Sequence, residues 1–369
     1  MTNGLSFYLD ALRVLAVFAV FLSHSGRVSG GMFWQVQPYG HAAVLVFFVL
    51  SGFVIAWVTE TREQTAEEYT LSRIARLYSV VAPAVILTAL LDTIGMAIDP
   101  HLYAPESIVR MNRGPLNVVL GYALGLVFLG QNWTLEMFPG SNIAFWLINY
   151  GAWCYIFFGL AVFLRGRRRI VALVAAALLA GPRILLLFPV WLMGSAVWRW
   201  RAVLPRQLGA PVALGAVAVF IGIHALGGEQ LFHRANSPWL PPGFSPYDYI
   251  VGVIIALLFL GLANAWLPTP GAAVERPIRF LAGTAFGLYL LHQPLLNFFG
   301  TVIPGPPGRL MHGLPVIGIS LVLAIVFARV IEPQKGPLKR ALRSGLDRLR
   351  RKLRRLFGTR DIPDSGIRN

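Results

Sequence analysis

Long apolar runs recur along almost the whole chain, separated by short polar turns. Eleven can be counted, at roughly 5–25, 41–59, 74–98, 116–130, 142–164, 169–182, 184–200, 209–228, 249–267, 279–300 and 313–332. A helix needs about 20 apolar residues to cross a bilayer, and the runs at 116–130 and 169–182 fall short of that. The pattern predicts an all-α fold, a polytopic transmembrane helical bundle. If 116–130 dips in or lies against the bundle, about ten spans remain and both termini share one side. After the last run, Leu338, Leu342, Leu346, Leu349, Leu353 and Leu356 keep a helical spacing, with Lys339, Arg343, Arg350, Arg351, Arg354 and Arg355 around them. This predicts a basic amphipathic helix from Leu338 to Phe357, lying on anionic headgroups. Beyond Gly358 an unstructured end is expected. The chain thus divides into a membrane domain, 1–335, and a basic cytoplasmic tail, 336–369. It shows no internal repeat, which disfavours the common inverted-repeat transporter folds.

Composition agrees. Of 369 residues 56% are hydrophobic and 13% charged, against about 25% charged in soluble domains. The single cysteine, Cys154, excludes an intramolecular disulfide and a Cys-based zinc cluster. The net charge of +16 is unevenly spread: from Pro333 onward there are twelve Lys/Arg against three Asp. Much of the rest sits in short connections, at Arg62 and Arg73, Arg165 and Arg167 to Arg169, Arg199 to Arg206, and Arg276 and Arg279. Positive charge in short connections marks the cytoplasmic side, so a membrane orientation explains the charge better than nucleic acid does. The first run has charges inside it and no basic start, unlike a cleaved signal peptide. The expected location is a bacterial inner membrane with both termini cytoplasmic.

That first run carries Asp10, Arg13 and His24. Each ionisable group inside a span costs on the order of 2.5–3.5 kcal/mol by insertion scales. Arg13 and His24 are eleven residues apart, about three turns and roughly 16 Å along one helix face. Asp10 is one turn before Arg13 on nearly the same face. The stripe therefore faces a protein interior or a wet cavity, unless Asp10 and Arg13 snorkel at one helix end and His24 caps the other.

Four further groups of residues stand out. His41 opens the second run, and Ser51-Gly52 gives it a small face suited to close helix packing. Arg73 and Arg76 lie one turn apart, a spacing suited to bidentate phosphate contacts or to a snorkelling pair; Pro83 is expected to kink the same helix. Trp146, Asn149, Tyr150 and Trp153 form an aromatic and amide-rich stretch, suited to a sugar or acyl chain or to an interfacial belt. Tyr289 and His292 precede Pro294 in the tenth run. The Pro- and Trp-rich 237–243 loop is the stiffest outer piece. His101, His224, His233 and His312 are isolated. No metal-binding spacing, P-loop or GxSxG elbow occurs, so no metal is expected.

Together these residues resemble the acyltransferase 3 family of integral-membrane acyltransferases. The resemblance rests on Leu9-Asp10-Ala-Leu-Arg13 and His24 with ten residues between Arg13 and His24, Phe47 to Phe53, Arg73 with Arg76, Tyr289 to Pro294, and Glu332-Pro333. It covers about residues 5–340. Two positions depart: Val44-Leu45-Val46 lacks the Asp often found before the Phe pair, and Trp146 to Gly151 lacks the Ser and Glu of the family's Trp-Ser-Leu-x-x-Glu. Glu136 looks similar but has the wrong spacing.

The resemblance implies acyl transfer, most simply of acetyl, from acyl-CoA to a hydroxyl of a cell-envelope or secreted carbohydrate. An antibiotic acceptor and a succinyl-CoA donor are the alternatives. No cofactor would be bound permanently. His24 would be the base or transient acyl carrier, Arg13 the charge stabiliser and Asp10 its holder, with Arg73 and Arg76 on the CoA phosphates. The competing readings are a proton-coupled transporter using Asp10, Arg13 and His24 as a relay, and an acyltransferase-like relative inactive for want of the Glu.

Overall fold

The computed structural model describes residues 1–103, 114–232 and 237–357. Arg110, Arg113, His233, Arg234 and the end beyond Gly358 lie outside the described residues. Thirteen helices of eleven residues or more make up the described chain, with no strand. They are α1 (Asn3–His24), α2 (Gly40–Thr61), α3 (Ala66–Ile98), α4 (Pro115–Leu126), α5 (Phe145–Phe163), α6 (Gly166–Ala180) and α7 (Pro182–Trp200), then α8 (Arg206–Ala225), α9 (Tyr247–Asn264), α10 (Ala272–Ala282), α11 (Ala285–Val302), α12 (Leu310–Ile331) and α13 (Lys335–Phe357). Each apolar run of the sequence is a helix.

Seven helical stretches among the described residues are long and apolar enough to cross a membrane. They are α1, α2 with the turn before it, α3, α5, α8, α9 and the run from α12 into α13. By this measure the expected count of about ten stands at seven. The shortfall has a physical cause. The α6 helix has only 15 residues, and α7 carries Arg183, Arg199 and two prolines. The α11 helix carries His292, Gln293, Pro294 and Asn297, yet buries most of its length among other helices. A helix surrounded by protein needs less hydropathy than one facing lipid.

The α4 helix and the segments on either side of it are tied to one carboxylate of α3 by four contacts. Asp92, near the end of α3, accepts hydrogen bonds from Tyr122 (3.2 Å), from the Ser141 backbone N–H (2.8 Å) and from the Ser141 hydroxyl (2.6 Å). Tyr103 donates to the same carboxylate; burial and the adjacent carboxylate push its phenol pKa up. The chain therefore leaves the Asp92 level through α4 and returns to it before α5. A 12-residue helix is also only about 18 Å long. The returning loop lies directly on α4, since a Cβ at Gly121 would sit 2.3 Å from the Phe138 carbonyl oxygen.

The two ends of the bundle differ. Arg279 of α10 bonds Asp10 of α1, Arg201 pairs with Glu60 of α2, and the Tyr69 and Phe163 rings meet. The basic connections thus gather at one end, with the N-terminus and the start of α13. At the other end, Arg183 ties the loops together. Its side chain is 1% exposed and donates to the carbonyls of Pro238 (2.6 Å) and Leu135 (2.9 Å) and to Glu136 (2.6 Å). Glu136 is thus a structural ion-pair partner.

One close helix crossing, made by a glycine on each helix, draws α2 and α7 together. A Cβ at Gly52 would stand 2.0 Å from the Trp191 carbonyl oxygen, and one at Gly194 would stand 1.8 Å from that of Val49. The small face expected at Ser51-Gly52 is therefore a packing face, and α2 and α7 touch backbone to backbone. The α3 helix is 33 residues long, about 50 Å against an apolar layer of about 30 Å. It stays helical through Pro83. Its first turns project from the apolar layer, where the Thr65 hydroxyl accepts from the Glu68 N–H (3.2 Å) as an N-cap.

Replacing Arg183 with Ala leaves two carbonyls without their donor and Glu136, 42% exposed, to solvent, and thermal unfolding in detergent is expected to show a loss of about 1–3 kcal/mol. Arg183→Lys should not restore stability, because one ammonium cannot reach three acceptors in fork geometry. In a Cys154→Ser background, cysteines at Pro115 and Leu135 should react with an impermeant maleimide from the same side of the membrane. Labelling from opposite sides would refute the returning path of α4.

Candidate functional site

A cavity of about 720 Å³ opens at the basic end. Its floor is apolar, with Phe47, Phe48, Val54 and Ile55 of α2, Leu147 and Ile148 of α5, and Tyr289 of α11. Its rim is charged: Arg13, Arg62, Arg73, Arg76, Lys335 and Lys339, with Glu63, Glu68 and Glu332. Hydrophobic depth under a cationic rim suits an amphiphilic anion, one whose charged end stays at the mouth.

Arg13 reaches this cavity from α1 and is held by Asp10 at 3.1 Å. The same carboxylate also takes Arg279 at 3.0 Å, and Arg279 is further bonded to Glu275 at 2.7 Å and Ser6 at 3.1 Å. Asp10 therefore binds Arg13 as part of a five-residue network of Asp10, Arg13, Arg279, Glu275 and Ser6. Removing it would leave two arginines without their shared anion.

Arg73 and Arg76 both line the cavity, but their states differ. Arg73 donates to both oxygens of Glu63, at 2.8 and 2.6 Å, and lies over the rings of Tyr69 and Tyr155. Arg76 is exposed, rests over Phe286, and makes no ion pair among the described residues. The two guanidiniums are thus not equivalent: one is already neutralised, the other is open.

His24 lies elsewhere. It ends α1 at the far end, is exposed, and does not line the cavity. Its partner is His292, 3.3 Å away, itself 1% exposed. Their hydrogen bonds assign the neutral tautomers. His24 Nδ1 is 2.9 Å from the Val20 carbonyl, so it carries the proton. His292 Nδ1 faces the Tyr289 carbonyl in the same way. His292 Nε2 then accepts from His24 Nδ1–H, and His24 Nε2 keeps its lone pair. The cavity approaches this pair through Tyr289, whose ring centre is 5.7 Å from that of His292 and 5.9 Å from that of Phe47. Arg13 and His24 therefore share a helix but not a chamber.

The remaining residues separate further. His41 bonds the buried Asp248 at 3.0 Å, beside Tyr39, Phe220 and His224 in a small cleft at the far end. Trp146 is half-buried against Phe48 and Tyr150. Asn149 and Tyr150 are buried, 1% and 0% exposed, and Trp153 donates to the Phe128 carbonyl at 2.9 Å. The α5 helix turns Leu147, Ile148, Gly151 and Tyr155 to the cavity instead, a single helical face by spacing. A Cβ at Gly151 would meet nothing within 4 Å, so any side chain there would project into the chamber.

Four contributors were not singled out in the sequence. Glu63 and Arg279 act through long-range pairs that leave no local signal. Lys335 and Lys339 sit in a basic run that reads as a membrane-facing tail. Among the described residues no group of His, Cys, Asp and Glu could hold a metal.

A family model described as an acyltransferase domain matches residues 6–329 of the chain. No curated protein and no solved structure matches significantly.

Gly151 on the cavity wall and Gly52 at the α2–α7 contact should respond oppositely. Gly151→Ala adds a methyl to open space and improves helix propensity, by up to about 1 kcal/mol. Gly52→Ala forces α2 off α7 and should cost about 1–3 kcal/mol. Thermal unfolding of both variants in one detergent checks the contrast, and a loss at Gly151 equal to that at Gly52 would contradict the open wall.

Proposed function

The chain belongs to the acyltransferase 3 family, and from that premise we propose that it is a membrane O-acyltransferase. It moves an acyl group, acetyl in the simplest case, from acyl-CoA to a hydroxyl of a cell-envelope or secreted carbohydrate. The observation that carries this reading is the cavity: a cationic rim leads to an apolar floor that ends at Tyr289, one ring from the His292–His24 pair. In this reading the basic end is cytoplasmic, as are both termini, and the membrane is a bacterial inner membrane.

The CoA phosphates rest on Arg76 and on the edge of Arg73 that Glu63 leaves free. Arg13, fixed by Asp10, stabilises negative charge on the donor or on the tetrahedral intermediate. The pantetheine arm runs along the apolar floor, and the Tyr289–Phe47 pair must part for the thioester to reach His24. The acceptor approaches from the far end, where His24 is exposed. His24 Nε2 takes the hydroxyl proton as the oxygen bonds to the acyl carbon. The carbon–sulfur bond then breaks, and the leaving thiolate takes the proton back from the imidazolium, giving ester and free CoA. The Val20 carbonyl fixes the tautomer of His24 by accepting its Nδ1–H, and His292 Nε2 stands 3.3 Å from the same nitrogen. Trp146, His41, Asn149 and Tyr150 remain candidates for acceptor contacts, through the far-end cleft or by shaping the α5 wall.

A second reading, an acyltransferase-like protein without turnover, is favoured by one observation, the bare wall at Gly151. A proton relay through Asp10, Arg13 and His24 is disfavoured, because Arg13 and His24 are about 16 Å apart along α1.

Purified protein with acyl-CoA and a glycan acceptor should release CoA. His24→Ala should lower kcat by about 10²–10⁴-fold, and unchanged turnover would exclude His24 as the base. Arg76→Ala should raise KM for acyl-CoA about tenfold with kcat little changed; an effect confined to the acceptor would refute the phosphate role.

A further inference from the structure

The C-terminal helix lies outside the residues matched by the family, yet it completes the cavity rim. The α12 helix runs through the Glu332–Gln334 turn into α13. Two ion pairs then lay α13 against the first turn of α3: Arg343 with Glu68 at 3.2 Å and Arg350 with Glu67 at 2.7 Å. This docking places Lys335 and Lys339, one turn apart, on the cavity wall with Arg76 and Arg13.

The charges of this rim do not cancel. Glu63 is bound by Arg73, and Glu68 by Arg343. Glu332 accepts from the Gly287 N–H at 2.9 Å. Arg13 has Asp10. Arg62, Arg76, Lys335 and Lys339 make no close ion pair among the described residues. These four cations share one mouth above an apolar chamber; Glu332 lies near Arg76 and Lys335 but is one carboxylate against four cations, so positive charge is in excess there.

We propose that Lys335 and Lys339 of the C-terminal helix, with Arg76, form an anion site for the phosphates of the nucleotide end of the acyl donor. The proposal rests on the acyl-CoA reading above and adds binding residues from the tail. Lysines suit the task, since ammonium groups on flexible stems can follow separate phosphates as point charges. The tail then has two parts: a first half that closes the donor site, and a second half whose exposed Leu349, Leu353 and Leu356 lie among basic residues.

The same cations could instead hold phospholipid headgroups, and the test separates the two. Full-length protein is placed in nanodiscs of phosphatidylcholine alone, and CoA binding is measured by calorimetric titration for wild type and Lys335→Gln/Lys339→Gln. The double variant should weaken CoA affinity at least tenfold. Turnover of an S-acyl-pantetheine donor, which lacks the phosphates, should not change. Lys335→Arg/Lys339→Arg should retain CoA affinity, and thermal unfolding checks that the Gln variant is folded. Unchanged CoA affinity in that variant overturns the proposal. So does weaker interaction with anionic-lipid vesicles in place of a CoA effect, which would assign the lysines to headgroups. Failure of the wild-type protein to bind CoA would instead refute the acyl-CoA reading itself.

Discussion

A guanidinium inside an apolar bundle is tolerated only beside a carboxylate, and the inward-facing arginines of this protein obey that constraint. Arg13 has Asp10, Arg73 has Glu63 and Arg183 has Glu136. The Arg13 pair lies within α1, and its Asp10 also binds Arg279 of α10; the other two join the α2–α3 connection with α3 and the far-end loops with α7. Desolvating two charges costs several kcal/mol, so such pairs are weak evidence for net stability. Losing one partner is severe, and this is how they constrain the fold. The cations without a close carboxylate partner, Arg62, Arg76, Lys335 and Lys339, stand at the mouth of the chamber, where a ligand's charge can reach them.

The second organising fact is distance. The α1 helix carries Arg13 into the chamber at one end of the bundle and His24 to the other end. The floor between them is apolar and closes on Tyr289 and Phe47. A donor whose charged end must stay in water, but whose reactive end must travel through an apolar layer, matches that layout. His292 belongs to this geometry without touching the chamber. Its buried ring stands beside His24 Nδ1, whose proton the Val20 carbonyl accepts, so that the Nε2 lone pair of His24 is left free.

Packing explains why the chamber exists. Backbone contact at Gly52 and Gly194 draws α2 and α7 together. The α5 helix meets them with Gly151, whose missing side chain leaves its wall bare. The departure from the family pattern therefore falls on the surface of the chamber and not in the core. Its consequence is one of contacts to a ligand, not of folding.

Much was legible in the sequence because hydropathy is a local property. The apolar runs, the helical spacing of the tail leucines and the shared face of Asp10 and Arg13 follow from which residue sits where along one helix. The ordered motifs around Arg13, His24, Arg73 and His292 pointed to the family on the same basis. Span count was less legible, because α7 and α11 are shielded by protein and carry polar residues that hydropathy penalises. Partner choice was not legible at all. That Glu63 neutralises Arg73 while Arg76 stays open, that Asp10 serves Arg279 as well as Arg13, and that α13 folds back to bring Lys335 and Lys339 to the rim were decided only by tertiary structure. These are contacts between residues ten to nearly three hundred positions apart, and no local period encodes them.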